Sequence, residues 1–442
     1  MRNVRIVLIG AASASFGPAM IADAVLTPEL CGSTLALVDI DAERLETMAA
    51  YARKLNEAAG TGLVIEHTTE RREALPGADF VITAVAIRRN DLWKLDFQIP
   101  HKHGIKQVLG ENGGPGGLSH ALRNIPVILE IAHDMETLCP DAWLLNFSNP
   151  ESRIALALDR YTDIRYAGLC HGIGMGYESV GRITGIPADD LVGIAAGLNH
   201  FCWFLDLRRK STREDVYPLL REKDTAYDPE YYPLTRRMFR TYGLYPHPSD
   251  DHIGEYLSFA WEDCGLHGYD FEGADRGREA SWERIERIAA GAEVVPLPEK
   301  RVEDGRVTWA HDRACIHRSG EFAFPIIVAM TENRHQFIEA VNIRNDGAIA
   351  NLPPWAVVEV PAVAGADGLR AVQVGELPDG IAALLNTQVH VQDLVVEAAV
   401  HGSRDLALQA LLADPVVQSA RAAEACLDEL LTTHAPYLPR FR

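Results

Sequence analysis

The sequence predicts an α/β fold with two parts: an N-terminal Rossmann-type doubly wound sheet and a C-terminal α+β lobe. Three observations predict it. Short β-branched runs alternate with helical patterns, a glycine-containing turn follows the first run, and an acidic residue ends the second. Because 442 residues exceed one typical hydrophobic core, we expect two domains, residues 1–195 and 196–442.

The first elements form a predicted βαβ unit. Residues 4–9 are a β-branched run that ends at Gly10, and a helical pattern and a second strand at 34–40 follow. The turn after the first strand can bring backbone amides and a helix N-terminus against a pyrophosphate. Asp39 closes the second strand, where a ribose hydroxyl needs an acceptor, and this favours NAD over NADP. Ala12 stands where this motif usually has its middle glycine.

The alternation of helices and strands continues through the first half of the chain. The predicted segments are a helix at 41–58, strands at 64–68 and 79–86, a helix at 118–138 and a strand at 143–147. Ligands of doubly wound sheets bind beyond the carboxyl ends of the strands. The candidate residues found there are Arg88, Arg89, Asn149, Cys170 and His171. Further along, we expect residues 289–306 to be a surface loop and residues 379–434 to be helical.

Composition excludes several classes of partner. A formal net charge of -20, from 62 acidic and 42 basic residues, argues against binding to nucleic acid or to an anionic membrane. No apolar run reaches the roughly 18 residues that a membrane span needs, and no secretory signal pattern precedes the first strand. The seven cysteines are scattered without CxxC spacing, which indicates reduced thiols. We therefore expect a cytoplasmic protein that acts on a small molecule.

Cys170 and His200 are candidate metal ligands. Both follow apolar strand-like runs, and His171 and Asn199 beside them can orient the ligands or contact a substrate. Taken singly, each is also consistent with a buried structural residue. A thiolate and an imidazole suit manganese, iron, cobalt, nickel or zinc, and two protein ligands leave coordination positions open. The pair predicts Lewis-acid chemistry beside a nucleotide site.

The order of these motifs resembles the family 4 glycoside hydrolases, a group outside the usual two-carboxylate mechanism. The residues that carry the resemblance are Gly10 to Ser13, Asp39, Glu111 with the glycines that follow it, Asn149-Pro150, Gly168 to His171 and Gly197 to His200. The first glycine turn is the departure, because the family more often has Gly-x-Gly-Ser there.

The resemblance implies a glycosidase that depends on NAD and on a divalent metal, with Mn²⁺ the expected ion. In such an enzyme NAD⁺ takes hydride from C3 of the sugar and a base removes the C2 proton. The C1 substituent then leaves by elimination, water adds at C1, and the hydride returns. The resemblance assigns Cys170 and His200 to the metal; Gly10, Ser13, Asp39 and Asn149 to the cofactor; and Asn149, His171 and Asn199 to the sugar.

The same resemblance suggests the groups that transfer protons. Asp250 is the first candidate for the C2 base, with Asp251 or a nearby tyrosine left open, and a solvated acidic loop is the alternative. Glu111 resembles the acid that assists departure of the leaving group, and we expect partial desolvation to raise its pKa. Its alternative role is a helix cap or a loop anchor.

Arg88 and Arg89 are candidate substrate contacts, because adjacent guanidiniums at a strand end can bind a carboxylate. A solvated loop with salt bridges is the alternative. They favour an α-glycoside of a uronic acid, with a neutral α-galactoside or α-glucoside next. The resemblance also implies a homodimer or homotetramer.

Two other classes stay open at this point. An NAD-dependent 2-hydroxy-acid dehydrogenase of lactate or malate type shares the expected N-terminal architecture. It needs no metal, so the Cys170 and His200 segments count against it. A non-catalytic nucleotide-sensing protein is the third possibility, because fold alone does not dictate function.

Overall fold

A computed structural model gives the structure of residues 2–303, 306–309 and 315–441. Within these residues, the N-terminal half contains the parallel strands β1 (Arg5–Ile9), β2 (Thr34–Val38), β3 (Val64–Thr68), β4 (Phe80–Thr83), β5 (Trp143–Asn146) and β6 (Arg165–Gly168). They lie in the order β3-β2-β1-β4-β5-β6. This is the strand order of dinucleotide-binding doubly wound folds. The predicted Rossmann-type sheet is confirmed.

Helices connect these strands. They are α1 (Gly17–Val25), α2 (Ala42–Ala59), α3 (Arg71–Ala74), α4 (Arg89–Lys102), α5 (Gly114–Leu138), α6 (Glu151–Tyr161) and α7 (Gly172–Thr184). The predicted helix at 41–58 is confirmed, and it begins where the Asp41 carboxylate accepts the backbone N–H of Arg44 at 3.1 Å. The predicted helix at 118–138 begins one turn earlier, and its first turn contains Pro115, whose fixed φ suits that position.

The parallel strands bury both of their faces. Alternate residues of β1 enter different cores, because side chains alternate across a strand. Val7 packs in a core with residues of α5 and α6, whereas Ile6 packs in a core with residues of α1 and α2. This arrangement leaves the strand ends, rather than the strand faces, free to form a site.

The C-terminal half extends the same sheet with antiparallel strands. They are β7 (Leu191–Leu198), β8 (Phe201–Arg209), β9 (Pro246–His247), β12 (Gln336–Arg344), β13 (Val357–Gly365) and β14 (Gly368–Ala371). The order continues β6-β12-β13-β7-β8-β9, and β14 pairs with β13. A separate hairpin is formed by β10 (Lys300–Glu303) and β11 (Arg306–Trp309). The surface loop predicted at 289–306 is therefore wrong at 300–303 and at 306, and residues 304 and 305 lie outside the described residues.

The C-terminal helices pack against the N-terminal half. They are α8 (Tyr217–Asp224), α9 (Pro233–Tyr242), α10 (Asp250–Gly254), α11 (Trp261–Cys264), α12 (Phe271–Ala289), α13 (Ala323–Glu332), α14 (Asp379–His401), α15 (Arg404–Ala413) and α16 (Ala420–Thr433). The last three confirm the predicted helical stretch at 379–434. Val395 and Leu427 from them share a core with Leu122 and Ile154. The expected domain boundary at residue 195 falls within β7, and the two-domain division stays a prediction.

Among the described helices, none is both long enough and apolar enough to span a membrane.

Candidate active site

A cleft of about 1190 Å³ opens at the carboxyl ends of the parallel strands. Its lining brings together six of the residues singled out in the sequence: Gly10, Ser13, Asp39, Arg88, Arg89 and Asn149. They come from four different strand ends, as the doubly wound topology requires. The size of the cleft suits a ligand larger than one sugar.

The turn after β1 is shaped for close approach of a ligand to its backbone. Gly10 has a φ of +91°, and a Cβ there would lie 2.3 Å from the Ala84 carbonyl oxygen, so only glycine fits. The Ala12 N–H donates to Asp39 Oδ2 at 2.9 Å, which fixes the turn against the second strand. Ala12 therefore contributes to the turn through its backbone N–H. Each oxygen of Asp39 keeps acceptor capacity for a ribose hydroxyl, so the residues present fit a dinucleotide.

Cys170 and His200 lie together, as the sequence predicts. Cys170 follows β6 and His200 lies between β7 and β8, and Cys170 Sγ is 3.2 Å from His200 Nε2. Burial raises the pKa of the Cys170 thiol and lowers that of His200, so the imidazole is neutral, the form that binds metals. A sulfur and a nitrogen donor this close fit a single divalent ion with positions open for substrate.

Cys170 and His200 are connected to the cleft by Glu111 and Asn112, the first residues of the glycine-rich segment. Neither Cys170 nor His200 lines the cleft itself. Glu111 pairs with Arg89 in the cleft wall at 2.6 Å, and Asn112 Nδ2 lies 3.2 Å from His200 Nδ1. Two adjacent residues therefore contact the cofactor cleft on one side and a metal ligand on the other.

The Glu111 carboxyl is ionised, and the expectation of a raised pKa is wrong. Burial alone would raise its pKa, but the positive charges of Arg89 and then His252 lower it to about 2. A carboxylate with this pKa accepts hydrogen bonds at neutral pH and does not donate a proton.

The two predicted sugar contacts beside the metal pair face different ways. His171 is half exposed, and its Nδ1 lies 2.7 Å from Glu321 Oε1, a hydrogen bond that raises the pKa of the imidazole. Asn199 is buried, and its amide donates to Glu359 Oε2 at 2.8 Å. Of the two, His171 is the one that can reach a ligand from solvent.

Asp250, the first candidate for the base, is a helix cap in this structure. Its two oxygens accept the backbone N–H groups of Leu234 at 3.0 Å and Thr235 at 2.7 Å, at the start of α9. In the same segment, the Tyr256 O–H donates to the Asn199 carbonyl oxygen at 3.0 Å, beside His200. Of these two, the tyrosine is therefore the one that contacts the metal-binding segment.

Arg88 and Arg89 are both paired with carboxylates. Arg88 is exposed, lies 2.8 Å from Asp91 and donates to the Tyr437 hydroxyl at 3.1 Å. Arg89 pairs with Glu111. Each guanidinium has a protein anion as its partner, so neither offers an uncompensated charge to a substrate carboxylate.

Sequence reasoning missed Glu255, which organises this region. One of its oxygens accepts three consecutive backbone N–H groups, from Glu111 and Asn112 at 2.6 Å and from Gly113 at 2.9 Å. A glycine-rich turn before a long helix exposes free amides that attract an anion, and this was the available signal. Asn112 was missed as well, because its contact with His200 joins residues far apart in sequence.

Comparison with known proteins gives consistent matches along the chain. The sequence model of the "Family 4 glycosyl hydrolase" matches residues 5–184, and that of the "Family 4 glycosyl hydrolase C-terminal domain" matches residues 195–417. An α-glucosidase of Erwinia rhapontici is 33% identical, over 98% of each chain. An α-galactosidase of Bacillus subtilis is 31% identical, over 99% of this chain and 100% of the relative.

The solved structures agree with the fold. A 6-phospho-α-glucosidase from gut microorganisms, determined in complex with NAD and Mn²⁺, superimposes with a TM-score of 0.84 at 23% identity and full coverage of both chains.

Proposed function

The chain belongs to the family 4 glycosyl hydrolases, and from this premise we propose that it hydrolyses a neutral α-hexoside with NAD and a divalent metal ion as cofactors. The observation that carries the proposal is the Cys170–His200 pair, 3.2 Å apart and joined to the cleft through Glu111 and Asn112. Family membership rules out the alternative of a 2-hydroxy-acid dehydrogenase. It also rules out a purely sensory protein.

The residues present suit both cofactors. When bound, NAD supplies a hydride acceptor for C3 of the sugar, and the metal ion supplies a Lewis acid for the neighbouring oxygens. Gly10 and Ser13 line the turn that would receive the pyrophosphate, and Asp39 would accept a hydrogen bond from the ribose. Cys170 and His200 hold the ion, and the solved relative with NAD and Mn²⁺ supports manganese.

His171 is the group best placed to give a proton to the leaving group. It follows Cys170 directly and is half exposed, and the hydrogen bond to Glu321 raises its pKa above the ordinary value of a histidine. Glu111, whose pKa is about 2, instead holds Arg89 in the cleft wall. We therefore place the acid at His171 and give Glu111 an orienting role.

Tyr256 is the group we place as the C2 base, ahead of Asp250. Its hydroxyl contacts both the Asn199 carbonyl and, at 3.4 Å, the His200 N–H. Burial and then the charge of Glu255 raise the pKa of Tyr256 well above its usual range, so its hydroxyl acts as a base only where a bound cation lowers that pKa. Asp250 is engaged in capping α9.

A neutral sugar fits this site better than the uronic acid that the sequence favoured. The uronide expectation rested on Arg88 and Arg89, and both are neutralised by protein carboxylates. The α-glucosidase and α-galactosidase relatives, at 33% and 31% identity, support an uncharged α-hexoside. The α-uronide is the second candidate. Its carboxylate needs a cationic partner, and Arg88 is freed by opening one exposed ion pair, the one with Asp91.

The cellular setting follows from the same chemistry. Cys170, the thiol assigned to the metal, is a free cysteine, and a thiol metal ligand needs reducing conditions. We place the enzyme in the cytoplasm as a homodimer or homotetramer.

Hydrolysis of 4-nitrophenyl α-glucoside, α-galactoside, α-glucuronide and α-galacturonide, each with NAD⁺ or Mn²⁺ added or omitted, tests the proposal. We expect release from a neutral α-hexoside only when both cofactors are present, without accumulation of NADH. Release from the uronides alone would overturn the substrate assignment. Hydrolysis by protein freed of both nucleotide and metal would overturn the cofactor assignment.

A further inference from the structure

A row of four paired residues crosses the antiparallel part of the sheet. Glu359 of β13 pairs with Gly197 of β7, Gly197 pairs with Cys202 of β8, and Cys202 pairs with His247 of β9. Residues paired in this way lie side by side across neighbouring strands. The register therefore places a carboxylate, a thiol and an imidazole in one line, with a glycine inside the line.

Gly197 allows the side chains on either side of it to meet. A Cβ at this position would lie 3.2 Å from Cys202 Sγ and 2.4 Å from the Phe201 carbonyl oxygen. Without that Cβ, Cys202 Sγ approaches Glu359 Oε1 to 3.5 Å. The ligand atoms of Cys202, His247 and Glu359 all lie within 4.8 Å of one another, and all three residues are at least nine-tenths buried.

Glu359 and His247 are oriented like ligands, while the Cys202 thiol donates to the Leu198 carbonyl oxygen at 3.2 Å. Asn199 and Asn342 donate to Glu359 Oε2 at 2.8 and 3.3 Å, which leaves Oε1 directed at the thiol. Neither ring nitrogen of His247 is hydrogen bonded to a side chain in the described part of the chain. Burial lowers the pKa of His247 to about 3, so its ring is neutral. The hydrogen bonds from Asn199 and Asn342 are of the kind that hold a metal-ligating carboxylate from outside the coordination sphere.

We propose that Cys202, His247 and Glu359 bind a second divalent transition-metal ion, separate from the one at Cys170 and His200. One thiolate, one carboxylate and one neutral imidazole balance the charge of such an ion, as a dry interior requires. This donor set favours zinc, and tetrahedral ligands 2.0 to 2.3 Å from zinc lie roughly 3.5 Å apart. The Cys202–Glu359 separation already has that value.

The proposed ion has a structural consequence for the first site. It joins β8, β9 and β13, and Glu359 also holds Asn199, the residue before His200. The second ion therefore fixes the start of β8, directly after His200, whereas Cys170 follows β6. It goes beyond the proposed function and does not depend on the choice of substrate.

Measuring the metal content of a variant that lacks the first metal site, at Cys170 and His200, tests the proposal. The variant is Cys170→Ser, measured by elemental analysis after purification with Zn²⁺ and dialysis. We expect it to retain one equivalent of metal, whereas Cys170→Ser/Cys202→Ser retains none. The matched control is Cys170→Ser/Cys139→Ser, because Cys139 is also buried but lies outside the cluster; it retains one equivalent. Absence of metal from the single variant would overturn the proposal.

Cobalt gives a second readout that reports the ligand itself. After exchange with Co²⁺, a thiolate-to-cobalt absorption band is expected in Cys170→Ser, and it should be lost in Cys170→Ser/His247→Gln. Circular dichroism verifies that each variant is folded. A band that disappears with Cys170→Ser alone would assign all thiolate–metal bonding to the first site and contradict the second.

Discussion

Arg89 and Glu111 show how one contact determines the chemistry of a residue. The sequence correctly indicates a desolvated carboxyl at Glu111, and desolvation alone would raise its pKa. The structure places a guanidinium 2.6 Å away, and this charge reverses the shift. The sequence could not indicate the direction of this pKa shift, because Arg89 lies 22 positions from Glu111 in the chain and only the fold brings the two together.

Replacing Glu111 by Gln should expose the energetic role of this ion pair. We expect the free energy of unfolding to fall by about 2 kcal/mol at pH 7, because Arg89 is left unpaired in the partly exposed wall of the cleft. The ionised form of Glu111 stabilises the protein above its ordinary pKa of 4.5, and that stabilisation is lost as the pH falls toward about 2. Urea unfolding at several pH values between 7 and 3 measures this. The difference in free energy of unfolding between the wild type and the variant should become smaller as the pH falls. A difference independent of pH would contradict the ion pair.

Asp250 and Tyr256 can be separated by paired substitutions. Asp250→Ala should cost about 1 kcal/mol of stability, because it removes the cap of α9, with kcat largely retained. Tyr256→Phe should remain folded and lose most of its kcat. Thermal unfolding and steady-state kinetics measure both effects. The opposite pattern, with kcat lost in Asp250→Ala and kept in Tyr256→Phe, would return the base to Asp250.

The success of sequence reasoning at single residues depended on local chemistry. Gly10 and Asp39 were identified because a turn and a strand end have recognisable residue types, and both line the cleft. Cys170 and His200 were predicted as a pair because soft donors follow two strands, and they meet. Glu255 was missed because its role depends on hydrogen bonds from three backbone N–H groups that are distant in the sequence.

At the scale of elements, the glycine-rich loop before α5 is held by Glu255. Its carboxylate offsets the free amides at the helix start, and the same loop presents Asn112 to His200. The loop is therefore a support for His200, the proposed metal ligand, rather than a phosphate site.

Substitution of Glu255 by Gln should weaken metal binding while leaving Cys170 and His200 in place. We expect the affinity for Mn²⁺ to fall about tenfold, the loss typical of groups that orient a ligand from outside the coordination sphere. Calorimetric titration of Mn²⁺ measures it. The control is Glu57→Gln, an exposed carboxylate on α2, which should bind like wild type. Unchanged affinity in Glu255→Gln would show that the loop does not position His200.

Local elements were predicted well and distant pairings were not. The helix at 41–58 and the C-terminal helices follow from periodicity and capping, which act within a few residues. The insertion of β12 and β13 between β6 and β7 could not be foreseen, because those strands pair across long separations. The hairpin of β10 and β11 was missed because its strands are too short to show a period.

At the scale of the whole molecule, the two halves share one sheet, and residues of both halves pack together in the cores on its two faces. The edge of β6 is covered by β12, and α14 packs on α5 and α6. An isolated dinucleotide-binding half would expose both the edge of β6 and the surfaces of α5 and α6 on which α14 packs.

A fragment of residues 1–195 tests whether the expected N-terminal domain folds alone. We expect it to aggregate or to unfold without a cooperative transition, because β12 and α14 complete its sheet and core. Thermal unfolding followed by circular dichroism measures this. A cooperative transition in the fragment would confirm an independent domain and contradict the shared core.

The most direct test of the account is hydrolysis of the α-hexoside in D₂O, with the sugar product analysed by NMR. Oxidation at C3 acidifies the C2 proton, and a base beside the Cys170–His200 metal site then exchanges it with solvent. We predict one deuterium at C2 in every product molecule. Product with hydrogen retained at C2 would show that the glycosidic bond breaks without redox assistance, and would contradict the function proposed for this site.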